Sequence, residues 1–279
     1  MDNQKIAIWE RNHYAGGGPD GFQPTLTTYL LGGEHSRAAV LICPGGGYRF
    51  VSPREAEPIA LQFAAAGFHA FVLDYSVAPR RYPQALLDLA RAMCLIRENA
   101  AVWRIDPGKI ALCGFSAGGH LAASLVAQGS KAFLTEKPGI TLRLIPPDAL
   151  ILGYPVITSG PFAHQGSFDQ LLGGDPDNPL RRQLSLELRV SPETPPVFLW
   201  HTLTDQAVPV ENSLLYAQAL RDKQIPFEFH IFPRGPHGLA LATPETDDGN
   251  VGVYPHVSRW MDLCLEWLEE TLVSQGTVL

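Results

Sequence analysis

The chain has 279 residues, 46% of them hydrophobic, and its 21 Lys and Arg against 28 Asp and Glu leave a net charge of −7. That is enough apolar material for one full core, and an acidic balance with no basic cluster argues against nucleic-acid binding. No apolar run approaches the length of a membrane span, and Met1-Asp2-Asn3-Gln4-Lys5 lacks the apolar core of a leader peptide.

In chain order, strand-like runs fall at 25–31, 38–43, 68–75, 110–113, 149–154, 197–201 and 227–232. Helical spacing alternates with them. Ala56, Ile59, Ala60 and Phe63 share one face, and Leu86, Leu89, Met93 and Ile96 another. Leu121, Ala122, Leu125 and Val126 repeat in the same way, a helix with Leu214, Leu215, Ala219 and Leu220 comes later, and Val257, Trp260, Met261, Cys264, Trp267 and Leu268 give a strong final amphipathic helix. Such alternation predicts an α/β fold, a mostly parallel central sheet with helices on both faces. With no repeat and no linker, residues 1–279 read as a single domain. The segment 155–196 is the longest without a strand, and its place between the sixth and seventh strand-like runs predicts a cap or pocket wall.

Cys113-Gly114-Phe115-Ser116-Ala117-Gly118-Gly119-His120 places Gly-x-Ser-x-Gly between a short apolar strand and a small-residue helix. A serine in so sharp a turn stands at the mouth of a sheet, with a helix N-terminus beneath it to favour developing negative charge. Alone, the motif reads equally well as an exposed serine in a glycine-rich turn. Three further features shift the balance. The run Ala39-Val40-Leu41-Ile42-Cys43 leads into Pro44-Gly45-Gly46-Gly47-Tyr48, where consecutive glycines can turn N–H groups into an anion-binding concavity. Asp205 follows the run ending at His201, at the sheet edge where α/β enzymes bind ligands. His237 lies in Pro233-Arg234-Gly235-Pro236-His237-Gly238, a loop after the last strand. Each has a plainer reading: a ligand-free loop, a helix-capping aspartate, a surface histidine. Their joint occurrence is hard to reach by chance.

The other histidines are poorer bases. His120 sits one turn after Ser116 and is expected to pack. His201 and His230 fall within or at the ends of strands. His13, His35, His69, His164 and His256 lack a glycine-framed loop after a late strand. The order Ser116, Asp205, His237 is that of α/β-hydrolases rather than of chymotrypsin or subtilisin.

The chain resembles α/β-hydrolase esterases related to hormone-sensitive lipase and to bacterial acetyl-xylan-type esterases. Pro44–Tyr48, Asp74-Tyr75-Ser76-Val77-Ala78-Pro79, the turn around Ser116, Thr204–Pro209 and Gly235–Leu239 carry the resemblance across most of the chain. Pro44 replaces the histidine usual before the three glycines. Tyr75-Ser76-Val77-Ala78-Pro79 stands where Tyr-Arg-Leu-Ala-Pro is usual. Both departures lie closer to the carbohydrate-esterase-like branch.

The expected activity is a serine carboxylesterase for short acyl groups, chiefly acetyl, with carbohydrate esters as a candidate substrate class. Ser116 is its nucleophile, His237 its base and Asp205 the residue orienting the base; Gly46, Gly47 and Ala117 supply the oxyanion donors. The short stretch before Pro44 leaves little room for a large helical cap, so the site is expected to be open. Amidases, arylformamidase-like hydrolases and peptidases share this machinery, and a non-catalytic binding module is the rival from outside enzymology. A serine rather than a cysteine at position 116 argues against a dienelactone hydrolase. The expected partner is a small-molecule ester, with no cofactor, no metal, no nucleic acid and no membrane. Cys43, Cys94, Cys113 and Cys264 read as reduced core thiols, which together with the polar start predicts a cytoplasmic location. The sequence carries no signal for oligomeric state.

Overall fold

The computed structural model describes residues 1–10, 13–14 and 20–273; residues 11–12, 15–19 and 274–279 of the 1–279 span assigned to one domain therefore lie outside the described residues. Eight strands form one sheet: β1 (Lys5–Ala7), β2 (Thr25–Tyr29), β3 (Arg37–Cys43), β4 (His69–Asp74), β5 (Ile105–Phe115), β6 (Ala149–Gly153), β7 (Val197–Thr202) and β8 (Phe227–Phe232). Their spatial order is β1-β2-β4-β3-β5-β6-β7-β8. The β1–β2 and β2–β4 pairs are antiparallel, and every pair from β4–β3 to β7–β8 is parallel. Each parallel crossover needs a long connection, usually helical. The helices are α1 (Glu57–Ala65), α2 (Gln84–Glu98), α3 (Ala100–Trp103), α4 (Ala117–Gln128), α5 (Gln165–Leu172), α6 (Leu180–Gln183), α7 (Glu211–Asp222), α8 (Pro255–Ser258) and α9 (Trp260–Leu268).

Because side chains alternate across a strand, each central strand feeds two cores. Leu41, Phe71 and Leu112 face one side, where Leu86, Met93, Leu121 and Leu125 of α2 and α4 cover them. Val40, Ile42, Ala111 and Cys113 face the other, against Ile59 and Phe63 of α1 and Trp260 and Cys264 of α9. Strands buried on both faces read as continuous apolar runs, which is why 38–43 and 110–113 were visible as strands in the sequence.

The structure differs from the sequence reading in four places. β1 has only three residues and no periodicity to detect. β5 starts at Ile105, five residues before the apolar run, because Ile105 pairs with Arg37 across an irregular register. On α7 the expected apolar positions Leu214 and Leu215 point outward, 44% and 37% exposed, while Asn212, Ser213, Tyr216, Ala217 and Leu220 are buried. The final helix breaks at Arg259 into α8 and α9, although all six of its expected apolar positions are buried. Residues 155–196 contain α5, α6 and short turns, and no strand. No described helix is long and apolar enough to cross a membrane.

Candidate active site

β5 ends at Phe115, α4 begins at Ala117, and Ser116 between them has φ 52° and ψ −121°. A non-glycine residue with positive φ costs on the order of 1–3 kcal/mol and persists only where its surroundings enforce it. Here Gly118 lets α4 press on the end of β3: a Cβ at that position would lie 2.1 Å from the Cys43 carbonyl oxygen. The turn therefore cannot relax outward, and the Ser116 hydroxyl is held at the C-terminal edge of the sheet.

Three loops converge on that hydroxyl. From the loop after β8, His237 Nε2 stands 2.8 Å from Ser116 Oγ. His237 Nδ1 stands 2.6 Å from Oδ2 of Asp205, which comes from the loop after β7. The two loops are tied together: Thr202 and Thr204 hydroxyls donate to the Gly235 carbonyl, and the Gly235 N–H donates back to Thr204 Oγ1. The Tyr154 ring packs edge-on at 5.0 Å from the His237 ring and limits its swing.

Asp205 is buried, and its Oδ1 accepts from the Ala207 and Val208 N–H groups, both at 2.9 Å. His201, fully buried, brings its Nε2 to 3.3 Å from Asp205 Oδ2 and to 3.0 Å from the Val208 carbonyl. Its Nδ1 pairs with Ser213 Oγ at 2.7 Å. Burial alone would raise the Asp205 pKa; the His201 and His237 hydrogen bonds, the His237 charge and the backbone donors outweigh it and hold the carboxyl well below its ordinary range.

The third loop follows β3. Gly45 donates to Glu55 Oε2 at 2.7 Å, and Glu55 Oε1 accepts from the Tyr154 hydroxyl at 2.6 Å. Gly46 (φ 122°) has no room for a side chain, since a Cβ would lie 2.1 Å from the Phe50 carbonyl oxygen. The N–H groups of Gly46, Gly47 and Ala117 donate to no acceptor among the described residues. Gly46 and Gly47 border, with Ser116 and His237, an open cavity of about 410 Å³ whose other walls include Phe50, His164 and Gln170; Ala117 follows Ser116 directly at the start of α4.

Ser116, Asp205 and His237 are thus brought together. His120 packs away from the site: its ring nitrogens meet Tyr48 Oη at 2.8 Å and the Leu184 carbonyl at 2.9 Å, and burial pushes its pKa down to about 4. Sequence reasoning passed over Glu55, Tyr154, His164 and His201. The two histidines were weighed only as bases. Glu55 and Tyr154 carry no local pattern, because each acquires its role from residues distant in the chain.

The chain matches the family described as alpha/beta hydrolase fold over residues 40–241. A crystal structure of an acetyl ester-xyloside bifunctional hydrolase from Caldicellulosiruptor lactoaceticus superimposes with a TM-score of 0.84 at 40% identity, covering 96% of each chain. An endo-1,4-beta-xylanase B of Butyrivibrio fibrisolvens is 42% identical over 87% of this chain and 39% of its own length. An acetylxylan esterase of Xylanibacter ruminicola is 31% identical over 75% of this chain and 42% of its own. The chain spans about two-fifths of the length of these two relatives. Sheet order, family match and near full-length superposition lead to one assignment: the chain belongs to the alpha/beta hydrolase fold family.

Proposed function

We propose that the chain is a serine carboxylesterase that releases short acyl groups, chiefly acetyl, from carbohydrate esters. The carrying observation is the continuous hydrogen-bonded line from Ser116 Oγ through His237 to Asp205, at 2.8 and 2.6 Å. In this reading His237 Nε2 takes the Ser116 proton as Oγ attacks the ester carbon. Asp205 holds the proton on Nδ1 and stabilises the imidazolium. The carbonyl oxygen gains charge as the centre becomes tetrahedral, and the N–H groups of Ala117 and of Gly46 or Gly47 donate hydrogen bonds to it. The alcohol departs with the proton from His237, an acyl group stays on Ser116, and water removes it by the same route.

The acyl preference rests on the cavity. It is open, and Phe50 is its chief apolar wall; a long acyl chain needs an enclosed apolar tunnel. His164, Gly166 and Gln170 of the segment 155–196 line it, which supports reading that segment as a pocket wall within one domain. The carbohydrate preference rests on the similarity to an acetylxylan esterase and to an acetyl ester-xyloside bifunctional hydrolase. The cytoplasmic reading rests on four free, buried thiols.

The test is a fluorophosphonate probe followed by p-nitrophenyl esters from acetate to palmitate, with acetylated xylo-oligosaccharides alongside. Labelling at Ser116 alone, its loss in Ser116→Ala, and rates peaking from acetate to butyrate are expected. Labelling elsewhere overturns the nucleophile; a preference for octanoate or palmitate overturns the short-acyl reading.

A further inference from the structure

His164 stands at the N-cap of α5 and lines the cavity with Ser116 and His237. Its Nδ1 accepts from the Ser167 N–H at 3.3 Å and lies 2.8 Å from Ser167 Oγ, whose hydroxyl proton can turn to it as a second donor. A nitrogen that accepts from a backbone N–H carries no proton, so the neutral ring carries its proton on Nε2. Burial and, next, the neighbouring His237 lower the His164 pKa, partly offset by Asp205, which favours this neutral form. No described group of the chain accepts from Nε2. The ring lies beside the glycine loop: a Cβ on Gly47 would be 4.0 Å from His164 Cε1.

A fixed, half-buried donor at the cavity wall needs an acceptor on the ligand. An acetyl group presents a single carbonyl oxygen, and the backbone donors of Gly46 or Gly47 and Ala117 are assigned to that oxygen. The side chains of Gln170 and Arg49 also line the cavity and likewise have no partner among the described residues. The acyl half of a short ester has no oxygen left for these groups; a polyol has several. Phe50, 55% exposed at the same wall, offers the apolar face on which a sugar ring can lie.

We infer that His164 is the residue that binds the alcohol half of the ester, donating from Nε2 to a hydroxyl or ring oxygen of a sugar, and that it selects polyol esters over simple ones. The inference rests on the ester-hydrolase reading above. It names a specificity-determining contact on the leaving group, outside the proton transfers at Ser116.

Two variants separate donation from helix capping. In His164→Asn the short side-chain oxygen can still accept from the Ser167 N–H, as Nδ1 does, but no donor reaches the cavity. In His164→Gln the amide N–H replaces Nε2–H, while the cap is weakened. The full chain is assayed on p-nitrophenyl acetate and on acetylated xylo-oligosaccharides. With His164→Asn, kcat/KM on the sugar ester is expected to fall about 5- to 20-fold, mainly through KM, with p-nitrophenyl acetate within about twofold of the parent. His164→Gln should recover part of the sugar activity. Equal losses on both substrates in His164→Asn would place the ring at the reacting carbonyl instead and overturn the inference, as would parental rates on both. Should His164→Asn fail to fold, His164→Ser, another capping residue too short to reach the cavity, decides: loss on the sugar ester with p-nitrophenyl acetate turnover intact supports the inference, and parental selectivity overturns it. A parent protein that cleaves p-nitrophenyl acetate but no acetylated sugar leaves the esterase reading standing and removes this one. A parent that cleaves neither removes both.

Discussion

Asp205 is the most heavily bonded side chain of the site, with four donors converging on its two oxygens. Asp205→Asn keeps the shape but turns an N–H toward one of those donors. If His237 is the base, the wrong tautomer is then favoured, and kcat should fall by about 10⁴ with the fold intact, by analogy with serine proteases. Steady-state kinetics beside circular dichroism would show this; near-parental turnover would move the acid elsewhere. The depressed Asp205 pKa has a thermodynamic counterpart. Its contribution to stability is present above the ordinary aspartate value, about 3.9, and is lost as the pH falls toward the lower folded-state value. Any Tm advantage of the parent over Asp205→Asn should therefore shrink below about pH 4. Ser116, Asp205 and His237 were legible in the sequence because each sits in a short pattern: a glycine-framed turn, an acid after a strand, a histidine in a late glycine-rich loop. Glu55 and Tyr154 were not legible, since they meet each other across 99 residues of chain and neither stands in a recurring motif.

At the scale of elements, the alternation of apolar runs placed seven of the eight strands, and the misreading of α7 shows where periodicity fails. Leu214 and Leu215 imitate a buried face, yet α7 turns Asn212 and Ser213 inward because both have internal partners. Asn212 Oδ1 accepts from the Ile157 and Thr158 N–H groups at 2.9 and 3.0 Å, and its Nδ2 donates to the Phe162 and Pro209 carbonyls. One amide thus ties α7 to the start of the segment that carries His164. Asn212→Leu would leave two buried N–H groups unpaired, at about 1–3 kcal/mol each. A loss of roughly 2–4 kcal/mol in urea unfolding is expected, with cleavage of the segment 155–196 by protease at lower urea than in the parent. Unchanged stability would mean that water replaces the amide. An apolar count cannot anticipate such a residue, because its partners are backbone groups of a distant loop.

For the molecule as a whole, two buried groups on the same side of the sheet give stability opposite pH slopes. His120 titrates near 4 in the folded state, driven down by burial and only partly restored by the Leu184 carbonyl. An unfolded histidine titrates near 6.5, so the unfolded chain binds the extra proton between these values, and stability from this group is lost as pH falls through them, at about 1.4 kcal/mol per pH unit. Asp88 is raised to about 6 by burial, which bonds from Ser76, Trp9 and Gln84 offset only in part. An unfolded aspartate titrates near 3.9, so here the folded protein holds the extra proton, and stability is lost as pH rises toward 6. Between about pH 4 and 6 the two slopes oppose. Asp88→Asn should make Tm climb more steeply with pH across this window than in the parent, and His120→Gln should make it climb less or decline. Calorimetric scans at four or five pH values would check the signs; parallel profiles in parent and variants would refute both.

The neighbours Arg54 and Glu55 occupy one short turn and reach in opposite directions. Arg54 Nη2 donates to the Gly238 carbonyl at 2.7 Å, directly after His237, and Glu55 takes the Gly45 N–H at the root of the glycine loop. The turn acts as a shared hinge pin for the loop that carries the imidazole and the loop that carries the backbone donors. Displacing it loosens a hydrogen bond to each loop, so the two loops are expected to lose their order together on heating. If the two loops carry the roles proposed for them, thermal inactivation should follow a single exponential, with the two roles lost together.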